Sequence, residues 1–432
     1  MNNTTLKGIR SLKVFGKMTG GYFIATIINN ALPFLLLPIL TRYLSPDDYA
    51  SIALFTAFVA IVVSLSGYSI NTFIAKFFFD HPRYFIARIV GNGILVLLAL
   101  NTVFCVIFLV TYNYLSDFYG LPFIWVLLIP VNSFAYLVFQ ILLAILRNEK
   151  KVLTFSYNQI GNTIINVVLT VLFVVIVYFG WQGRILGILL SNILSAVFAI
   201  VYLKLKGYLS LKIDIKIIRN VFNFIVTLIP SSLQSVIINR IGIIFMQIYF
   251  TKELLGIYSV GFQIAYVVMI VVITLNLSWT PYIFEQLSND NKRINKFYIT
   301  RLLYLNLLVV VLGVLFVNFA GEIVLKLMTT PDYFEAKQFI FWLTLGMFFN
   351  GFYMFLQPIL IKSNQHRFIG ISSLLIIFLT IIIHYFSVKY LGPIGISFAY
   401  FLTYFLIFIV IFIKSNSVFR LPWLQSLTPK KT

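Results

Sequence analysis

Long uninterrupted blocks of apolar residues constrain this sequence more than any other feature. The chain has 432 residues, of which 61% are hydrophobic and 10% are charged, whereas soluble domains carry about 25% charged residues. The apolar blocks run for about 20 residues or more, which is the length that a helix needs to cross a hydrocarbon core of ~30 Å. The sequence therefore predicts an all-α integral membrane protein, since a β-barrel would show short alternating segments.

About twelve transmembrane helices are predicted from these blocks. Cys105 lies in the third span and is the only cysteine, so no intrachain disulfide is expected. The three histidines show no metal-ligand spacing, and no metal or other cofactor is expected. The predicted spans cover residues 20–42, 49–73, 86–112, 121–146, 153–178, 185–203, 221–250, 255–280, 301–319, 338–361, 367–388 and 393–413.

The formal net charge of +20 is distributed unevenly over the loops. If the N-terminus is cytoplasmic, most of the lysines and arginines fall in cytoplasmic segments, and the positive-inside rule then places both termini in the cytoplasm. The charge is therefore attributed to topology and to contact with anionic membrane lipids. No nucleic-acid partner is expected.

An internal repeat relates the two halves of the chain. The segment YLSPDDYASIALFTAFVAIVV (43–63) aligns with YFTKELLGIYSVGFQIAYVVM (249–269) at an offset of 206 residues. In both copies a span ends, an outer turn carries a hydroxyl residue followed two positions later by an acid, and a second span begins. The hydroxyl and the acid are predicted to cap the second helix, where backbone N–H groups lack partners.

The repeat predicts two six-helix bundles, residues 1–206 and 207–432. A weaker match joins the fourth and tenth spans, at 139–151 and 356–368. An even number of spans per half gives both halves the same orientation, as in the parallel repeats of some transporters, which enclose a cleft between their halves. A repeat alone does not establish transport, and channel, enzyme and scaffold functions stay open at this point.

Two arginines are candidate ligands for an anionic substrate. Arg240 lies about ten residues from the outer end of the seventh span, which is ~15 Å deep. An arginine at that depth costs at least ~2.5 kcal/mol unless it faces a polar cavity or a partner. Its own span holds no acid, and guanidinium binds phosphate in a bidentate manner. Snorkelling or capping of backbone carbonyls is the alternative, and Arg42, at the outer end of the first span, either lines the cavity or snorkels.

Amide side chains form polar stripes on three spans. Gln159, Asn162 and Asn166 share one face of the fifth span because they are spaced i, i+3 and i+7. Asn350 and Gln357 repeat this pattern in the tenth span, and Asn30 lies in the first. These residues are candidates for hydrogen bonds to sugar hydroxyls in a wet cavity, or else for hydrogen bonds between packed helices.

Basic residues also mark the predicted cytoplasmic ends of several spans. They suggest an entrance for an anionic headgroup, although anchoring by the positive-inside rule is the alternative. No Asp or Glu lies deep within a span, so coupling to the membrane potential, worth ~2.3 kcal/mol per charge per 100 mV, is the working hypothesis. The entrance residues are Lys76, Arg88, Arg147, Lys362 and Arg367.

The first predicted span and the turn that follows it resemble a known protein family. LPFLLLPILTRYLSPDDYASIALF is similar to the first-span signature of Wzx-type polysaccharide flippases, in the multidrug/oligosaccharidyl-lipid/polysaccharide exporter superfamily. That signature has a proline-rich span, the tripeptide L-T-R, a short acidic turn and Tyr-Gly. The resemblance continues in GIYSVGFQIAYVV (256–268) and SWTPYIFEQL (278–287). Arg42 falls on the arginine of L-T-R, Ala50 replaces the usual glycine, and Asn239 replaces the acid that often precedes the arginine at position 240.

The resemblance implies a MATE-like transporter fold and a function. Such proteins move undecaprenyl-diphosphate-linked oligosaccharide repeat units from the inner to the outer leaflet of the bacterial inner membrane, for O-antigen or related polysaccharides. Two bundles alternate access to a central cationic cavity, and a polysaccharide polymerase and chain-length regulator are the implied protein partners. A lipid II-type flippase and a multidrug exporter of the same superfamily are alternatives. A polysaccharide polymerase is the alternative from the enzyme class, but its large catalytic outer loop is missing here.

Overall fold

The computed structural model describes residues 34, 36–288, 296–363, 365–423 and 425–426, and the regular structure of these residues is entirely helical. The first helix, α1, is described over residues 36–43. The helices that follow are α2 (Pro46–Ser66), α3 (Ile70–Phe78), α4 (Arg83–Tyr119), α5 (Phe123–Asn148), α6 (Val152–Val171), α7 (Gly180–Leu205), α8 (Ile215–Tyr249), α9 (Lys252–Ser288), α10 (Lys296–Met328), α11 (Lys337–Lys362), α12 (His366–Leu391) and α13 (Ile394–Val418).

These helices confirm the prediction of a multispanning membrane protein. Within the described residues, ten helices are long and apolar enough to cross a membrane, and α8 makes an eleventh that bends by 48° between Pro230 and Ser232. Pro230 removes a backbone N–H from the middle of α8, which accounts for a bend at this point. The predicted first span lies mostly outside the described residues.

The second predicted span, 49–73, is divided in the structure. Helix α2 ends at Ser66, and Gly67 adopts φ +129°, a left-handed conformation that interrupts the helix before α3 begins at Ile70. A Cβ on residue 67 would also lie 2.8 Å from the Leu97 side chain of α4. Glycine therefore fits this position both for its backbone freedom and for its lack of a side chain.

The chain forms two compact units whose boundaries lie inside helices. One unit includes Ser51–Val236, and the other comprises the described parts of Pro33–Ala50 and Ile237–Thr432. The first few residues of α2 therefore belong to the same unit as α9 to α13, and most of α8 belongs with α3 to α7. These two units differ from the sequence halves 1–206 and 207–432. The division into those halves follows from the repeat and stays a prediction.

Each unit is organised around one central helix. In the first, α5 packs against α3, α4 and α7, and α6 packs on α7; in the second, α11 packs against α9, α10 and α13. Helices α5 and α11 are the fourth and tenth predicted spans, which the weaker sequence match had paired. Both place long runs of Leu, Ile and Phe in the interior, such as Leu356 to Leu360 of α11 around Pro358.

The repeated turns cap their helices as predicted, with one change in the acid used. At the start of α2, the Asp48 backbone N–H donates to Ser45 Oγ (3.3 Å), while the Ser45 N–H donates to Asp48 Oδ2 (3.0 Å). At the start of α9, the Leu254 N–H donates to Thr251 Oγ1 (3.3 Å). The first turn is therefore a reciprocal capping box closed by Asp48 rather than by Asp47, the acid that the alignment had singled out.

The two repeated helices cross closely at these capped ends. A Cβ on Gly256 of α9 would lie 1.8 Å from the Pro46 carbonyl oxygen of α2. Under the 206-residue offset, Gly256 aligns with Ala50 of α2, which is itself fully buried. Small residues at both aligned positions allow the backbones of α2 and α9 to approach each other, as is common where helices pack in membranes.

Candidate substrate-binding site

Arg240 lies on α8 in the second unit, and its side chain is half-buried. The ionisable groups that act on it electrostatically are three tyrosines, Tyr258 and Tyr266 of α9 and Tyr400 of α13. No carboxylate of the described residues is among them. A guanidinium among phenol groups keeps its positive charge uncompensated, so this position suits an anionic ligand better than an internal ion pair.

Asn239, the residue that replaces the acid of the family pattern, takes part in this polar group. The Tyr400 hydroxyl donates to Asn239 Oδ1 at 3.1 Å, and the Tyr404 hydroxyl also interacts with Asn239. An amide at position 239 can satisfy buried phenol groups without adding a negative charge beside Arg240. The tyrosines are contributions that sequence reasoning missed, because a tyrosine inside an apolar span cannot be told from packing without the fold.

The amides predicted in the tenth span lie on α11 of the same unit. Gln357 donates to the Tyr353 hydroxyl at 2.7 Å, within the helix. Asn350 is buried, and its amide nitrogen lies 3.5 Å from Met269 Sδ of α9. Neither amide makes a hydrogen bond that excludes a sugar ligand, so their role as sugar contacts stays a prediction.

The amides predicted in the fifth span connect α6 to α7. Asn162 donates to Ser195 Oγ at 2.8 Å and Asn166 donates to Ser191 Oγ at 3.2 Å. These bonds match the alternative that the sequence left open, hydrogen bonding between packed helices. Gln159, on the same stripe, has a buried Oε1 without a hydrogen-bond partner among the described residues, which makes it the stronger of the three candidates for a polar ligand.

Arg184 is a buried cation that falls between the predicted spans 153–178 and 185–203. It lies in the second turn of α7, and its side chain donates to Asn166 Oδ1 (2.5 Å) and Thr170 Oγ1 (2.7 Å). Its role here is structural, because the several N–H donors of one guanidinium bind two side chains that lie one turn apart on α6, Asn166 and Thr170. Nothing in the sequence indicates that Arg184 is buried, because it is a single arginine in the short segment between two apolar spans.

The remaining site predictions divide into exposed, paired and undescribed residues. Arg42 is exposed at the end of α1, and Asn30 lies outside the described residues. Lys76, Arg147 and Lys362 are exposed at helix ends, as an entrance requires, but Arg88 forms an ion pair with Asp214 (2.7 Å). The Arg88 charge is therefore shared with Asp214, and its place in an entrance stays a prediction. The Arg367 side chain lies outside the described parts of the structure.

Asp214 belongs to the segment that joins the sequence halves, and this segment is attached to α4. The Asp214 N–H donates to Asn92 Oδ1 (2.9 Å), Asn92 donates to the Lys212 carbonyl (3.0 Å), and the Ser210 N–H donates to the Ala87 carbonyl (3.1 Å). The segment therefore belongs structurally to the first unit. It accounts for why the unit boundary lies within α8 rather than at residue 206.

A cluster around Glu149 holds the beginning of the same segment. The Tyr208 hydroxyl donates to Glu149 Oε1 (3.0 Å), Lys151 forms an ion pair with Glu149 Oε2 (2.9 Å), and the Arg83 guanidinium lies over the Tyr208 ring. Burial, together with the hydrogen bond to Glu149, raises the pKa of Tyr208. The phenol is therefore neutral at physiological pH and acts as a hydrogen-bond donor.

A second polar arrangement joins the α1–α2 turn to the end of α10. The Tyr333 hydroxyl donates to the Leu44 carbonyl oxygen at 2.6 Å, and Thr41 Oγ1 donates to the Met328 carbonyl at 2.9 Å. The Tyr333 ring is fully buried and makes an edge contact with Tyr49, with 5.5 Å between centroids. We call residues 41–49 and 328–333 the turn contact. It ties the first repeated turn to the second unit.

A family of known proteins includes this chain. Residues 15–287 match the family of polysaccharide biosynthesis proteins, and because the match covers more than half of the chain, the protein belongs to that family. The resemblance read from the first-span motif is therefore confirmed.

Two proteins of Haemophilus influenzae (strain ATCC 51907 / DSM 11121 / KW20 / Rd) are related in sequence. An "Uncharacterized membrane protein" is 24% identical over 364 residues, which cover 82% of this chain and 85% of that protein. "Lsg locus putative protein 1" is 26% identical over 289 residues, which cover 64% of this chain and 67% of that protein.

Solved structures show the same fold. "Lipid II flippase MurJ, inward closed conformation" matches with a TM-score of 0.72 and 16% identity, covering 95% of this chain and 90% of that one. An inward-facing multidrug resistance MATE family transporter of the MOP superfamily matches with a TM-score of 0.70 and 16% identity, covering 90% and 95%. The predicted MATE-like fold is therefore confirmed, and the protein is a multi-pass membrane protein.

Proposed function

We propose that this protein is a flippase that moves undecaprenyl-diphosphate-linked oligosaccharide repeat units from the inner to the outer leaflet of the bacterial inner membrane. Its product would enter O-antigen or related surface polysaccharides, with a polysaccharide polymerase and a chain-length regulator as partners. The family and the fold support transport of a lipid-linked substrate. Both termini would be cytoplasmic, as the distribution of lysine and arginine predicts.

The observation that carries the proposal is Arg240 and its surroundings. The half-buried guanidinium has tyrosine neighbours and no carboxylate among the described residues. A diphosphate supplies the missing negative charge, and the nearby hydroxyl and amide groups are suited to the polar parts of a sugar-bearing headgroup. A cationic drug would find no acid beside Arg240 among the described residues, so the multidrug-exporter alternative is disfavoured.

Transport would proceed by alternating access. Arg240 would hold the diphosphate while the sugars occupy the polar interior and the polyprenyl chain stays in the lipid. The turn contact holds the α1–α2 turn against the end of α10 in the described structure, and in this proposal it would open for release on that side. A lipid II-type flippase is the nearest alternative, since the MurJ structure has the same fold.

The proposal is tested by the exposure of diphosphate-linked oligosaccharide on the outer leaflet of proteoliposomes. Arg240→Ala should slow exposure by about 10- to 150-fold, the value of one charged hydrogen-bonding interaction. Arg240→Lys should restore part of the rate, because it keeps the charge but not the bidentate geometry. Arg219→Ala is the matched control, since Arg219 lies on the same helix and is exposed.

The outcomes separate the alternatives. Unchanged exposure without the protein would exclude translocation of this lipid. Exposure of lipid II but not of the oligosaccharide repeat unit would favour the lipid II-type alternative. Equal rates for Arg240→Ala and Arg219→Ala would remove Arg240 from substrate binding.

A further inference from the structure

A cavity of about 400 Å³ lies between the C-terminal ends of α8 and α12. Its walls are Tyr249, Phe250, Tyr385, Val388 and Lys389. The aromatic residues and Val388 make the cavity mostly apolar, while Lys389 and the two tyrosines are the lining residues whose side chains carry hydrogen-bond donors. A cavity of this size with few polar groups has the make-up of a small-ligand site.

The cavity lies at the ends of two helices that are candidates to span the membrane. Both helices are long and apolar enough to cross a membrane, α8 as one bent span, and both end at the cavity. Tyrosines are concentrated at the level of lipid headgroups. Gly392, in a left-handed conformation (φ +61°), ends α12 just beyond Lys389. We therefore expect the residues of the cavity to lie at the level of lipid phosphates.

Lys389 is the charged group of the cavity. Its Nζ lies 6.0 Å from the Tyr390 ring, and it is not part of any ion pair among the described residues. Lys326, near the end of α10, and Lys337, at the start of α11, are by contrast both paired with Glu322. The α12 dipole stabilises a cation at position 389, but that interaction does not require a cavity with aromatic walls.

The helix surface below the cavity is suited to a hydrocarbon chain. Phe378, Ile382 and Tyr385 are spaced i, i+4 and i+7, so they lie on one face of α12, and all three are exposed. This face leads from the cavity toward the middle of the membrane. A ligand with a phosphate in the cavity could therefore place its chain along α12.

A buried polar atom lies one turn deeper between the same two helices. His384 of α12 is fully buried, and its ring packs on Phe245 of α8 with 5.6 Å between centroids. Its Nδ1 interacts with the Thr380 carbonyl at 2.8 Å, while its Nε2 has no hydrogen-bond partner among the described residues. The α8–α12 seam is therefore polar beneath an otherwise apolar cavity, which purely hydrophobic packing would not produce.

We propose that this cavity binds the phosphate of a membrane lipid, with Lys389 as its cationic ligand, Tyr249 and Tyr385 as hydroxyl donors, and the lipid chain along the exposed face of α12. The site lies at the ends of α8 and α12 and is separate from Arg240 in sequence and role. The same chemistry would fit an anionic phospholipid or a polyprenyl phosphate, and the test distinguishes them. The proposal does not depend on the proposed substrate.

Native mass spectrometry of the purified full chain in detergent tests the site. The probes are dioleoylphosphatidylglycerol, undecaprenyl phosphate, dioleoylglycerol as a phosphate-free lipid, and inorganic phosphate. Lys389→Gln should weaken binding of the phosphate-bearing lipid at least about tenfold, the effect of one charge-assisted hydrogen bond. Lys326→Gln is the matched control, since it removes the same charge from an ion-paired lysine, and it should leave binding unchanged.

Two further variants keep the test decisive if Lys389→Gln folds poorly. Lys389→Arg should retain binding, and Val388→Trp should abolish it by filling the cavity while keeping the charge. Retention of only one of the two phosphate lipids supports the proposal and identifies the source. The proposal is overturned if dioleoylglycerol binds equally, if free phosphate binds as tightly as the lipids, or if Lys389→Gln and Lys326→Gln have the same effect.

Discussion

The turn contact gives the sharpest prediction about conformational change. The Tyr333 hydroxyl is buried and donates to the Leu44 carbonyl at 2.6 Å. Tyr333→Phe removes this donor and leaves a buried carbonyl without it, which costs about 1–3 kcal/mol. The ring and its edge contact with Tyr49 are retained, so the change is confined to one hydrogen bond. We expect the contact to be broken in an open arrangement, in which case the cost falls on the closed arrangement alone.

A cost of about 1–3 kcal/mol corresponds to a shift of roughly 5- to 150-fold in the equilibrium between closed and open arrangements. A cysteine at position 50 reports this shift, because Ala50 is fully buried beside the contact. In a background with Cys105→Ala, which removes the only native cysteine, labelling of Ala50→Cys by a membrane-impermeant maleimide should accelerate by that factor when Tyr333→Phe is added. Tyr114→Phe, at a tyrosine that is 85% exposed, is the control.

The reasoning would be refuted by equal labelling rates in the Tyr333→Phe and Tyr114→Phe backgrounds, provided that both proteins elute as single species on size exclusion. Slower labelling in Tyr333→Phe would also contradict it, since the bond could then not favour the closed arrangement. A rise in labelling accompanied by faster lipid exposure would connect the contact directly to the transport cycle.

Two other substitutions test the packing. Gly256→Ala should destabilise the protein by about 1–3 kcal/mol through overpacking, because its Cβ would lie 1.8 Å from the Pro46 carbonyl oxygen, whereas Gly313→Ala has nothing within 4 Å; thermal unfolding in detergent should separate the two, and equal melting temperatures would mean that α9 shifts without cost. Arg184→Met should lower the melting temperature because it strands the buried acceptors Asn166 Oδ1 and Thr170 Oγ1, at about 1–3 kcal/mol each. Asn166→Leu combined with Arg184→Met should cost less than the sum of the two single changes, and strict additivity would show that the residues do not interact.

Much of the fold was determined by the sequence alone. Apolar blocks of about 20 residues specify membrane-spanning helices wherever they occur, because a spanning backbone must satisfy its hydrogen bonds internally. The hydroxyl residues Ser45 and Thr251 marked two helix starts for an equally local reason, the unpaired N–H groups of a first turn. The sequence alone also identified Arg240 as a candidate site residue, since a charge in the middle of an apolar span can be recognised without knowing its neighbours.

Other features depended on which helices meet. The sequence treated Asn162 and Asn166 as one stripe with Gln159, but only the packing of α6 on α7 shows that the first two bond to serines and that Arg184 joins them. The sequence groups Arg88 with the entrance cations, whereas the structure pairs it with Asp214, which is 126 residues away in the chain. The tyrosines around Arg240 come from α9 and α13, and the cavity at Lys389 comes from α8 and α12. Periodicity records the face of a single helix, whereas a binding site forms where faces of helices distant in sequence come together.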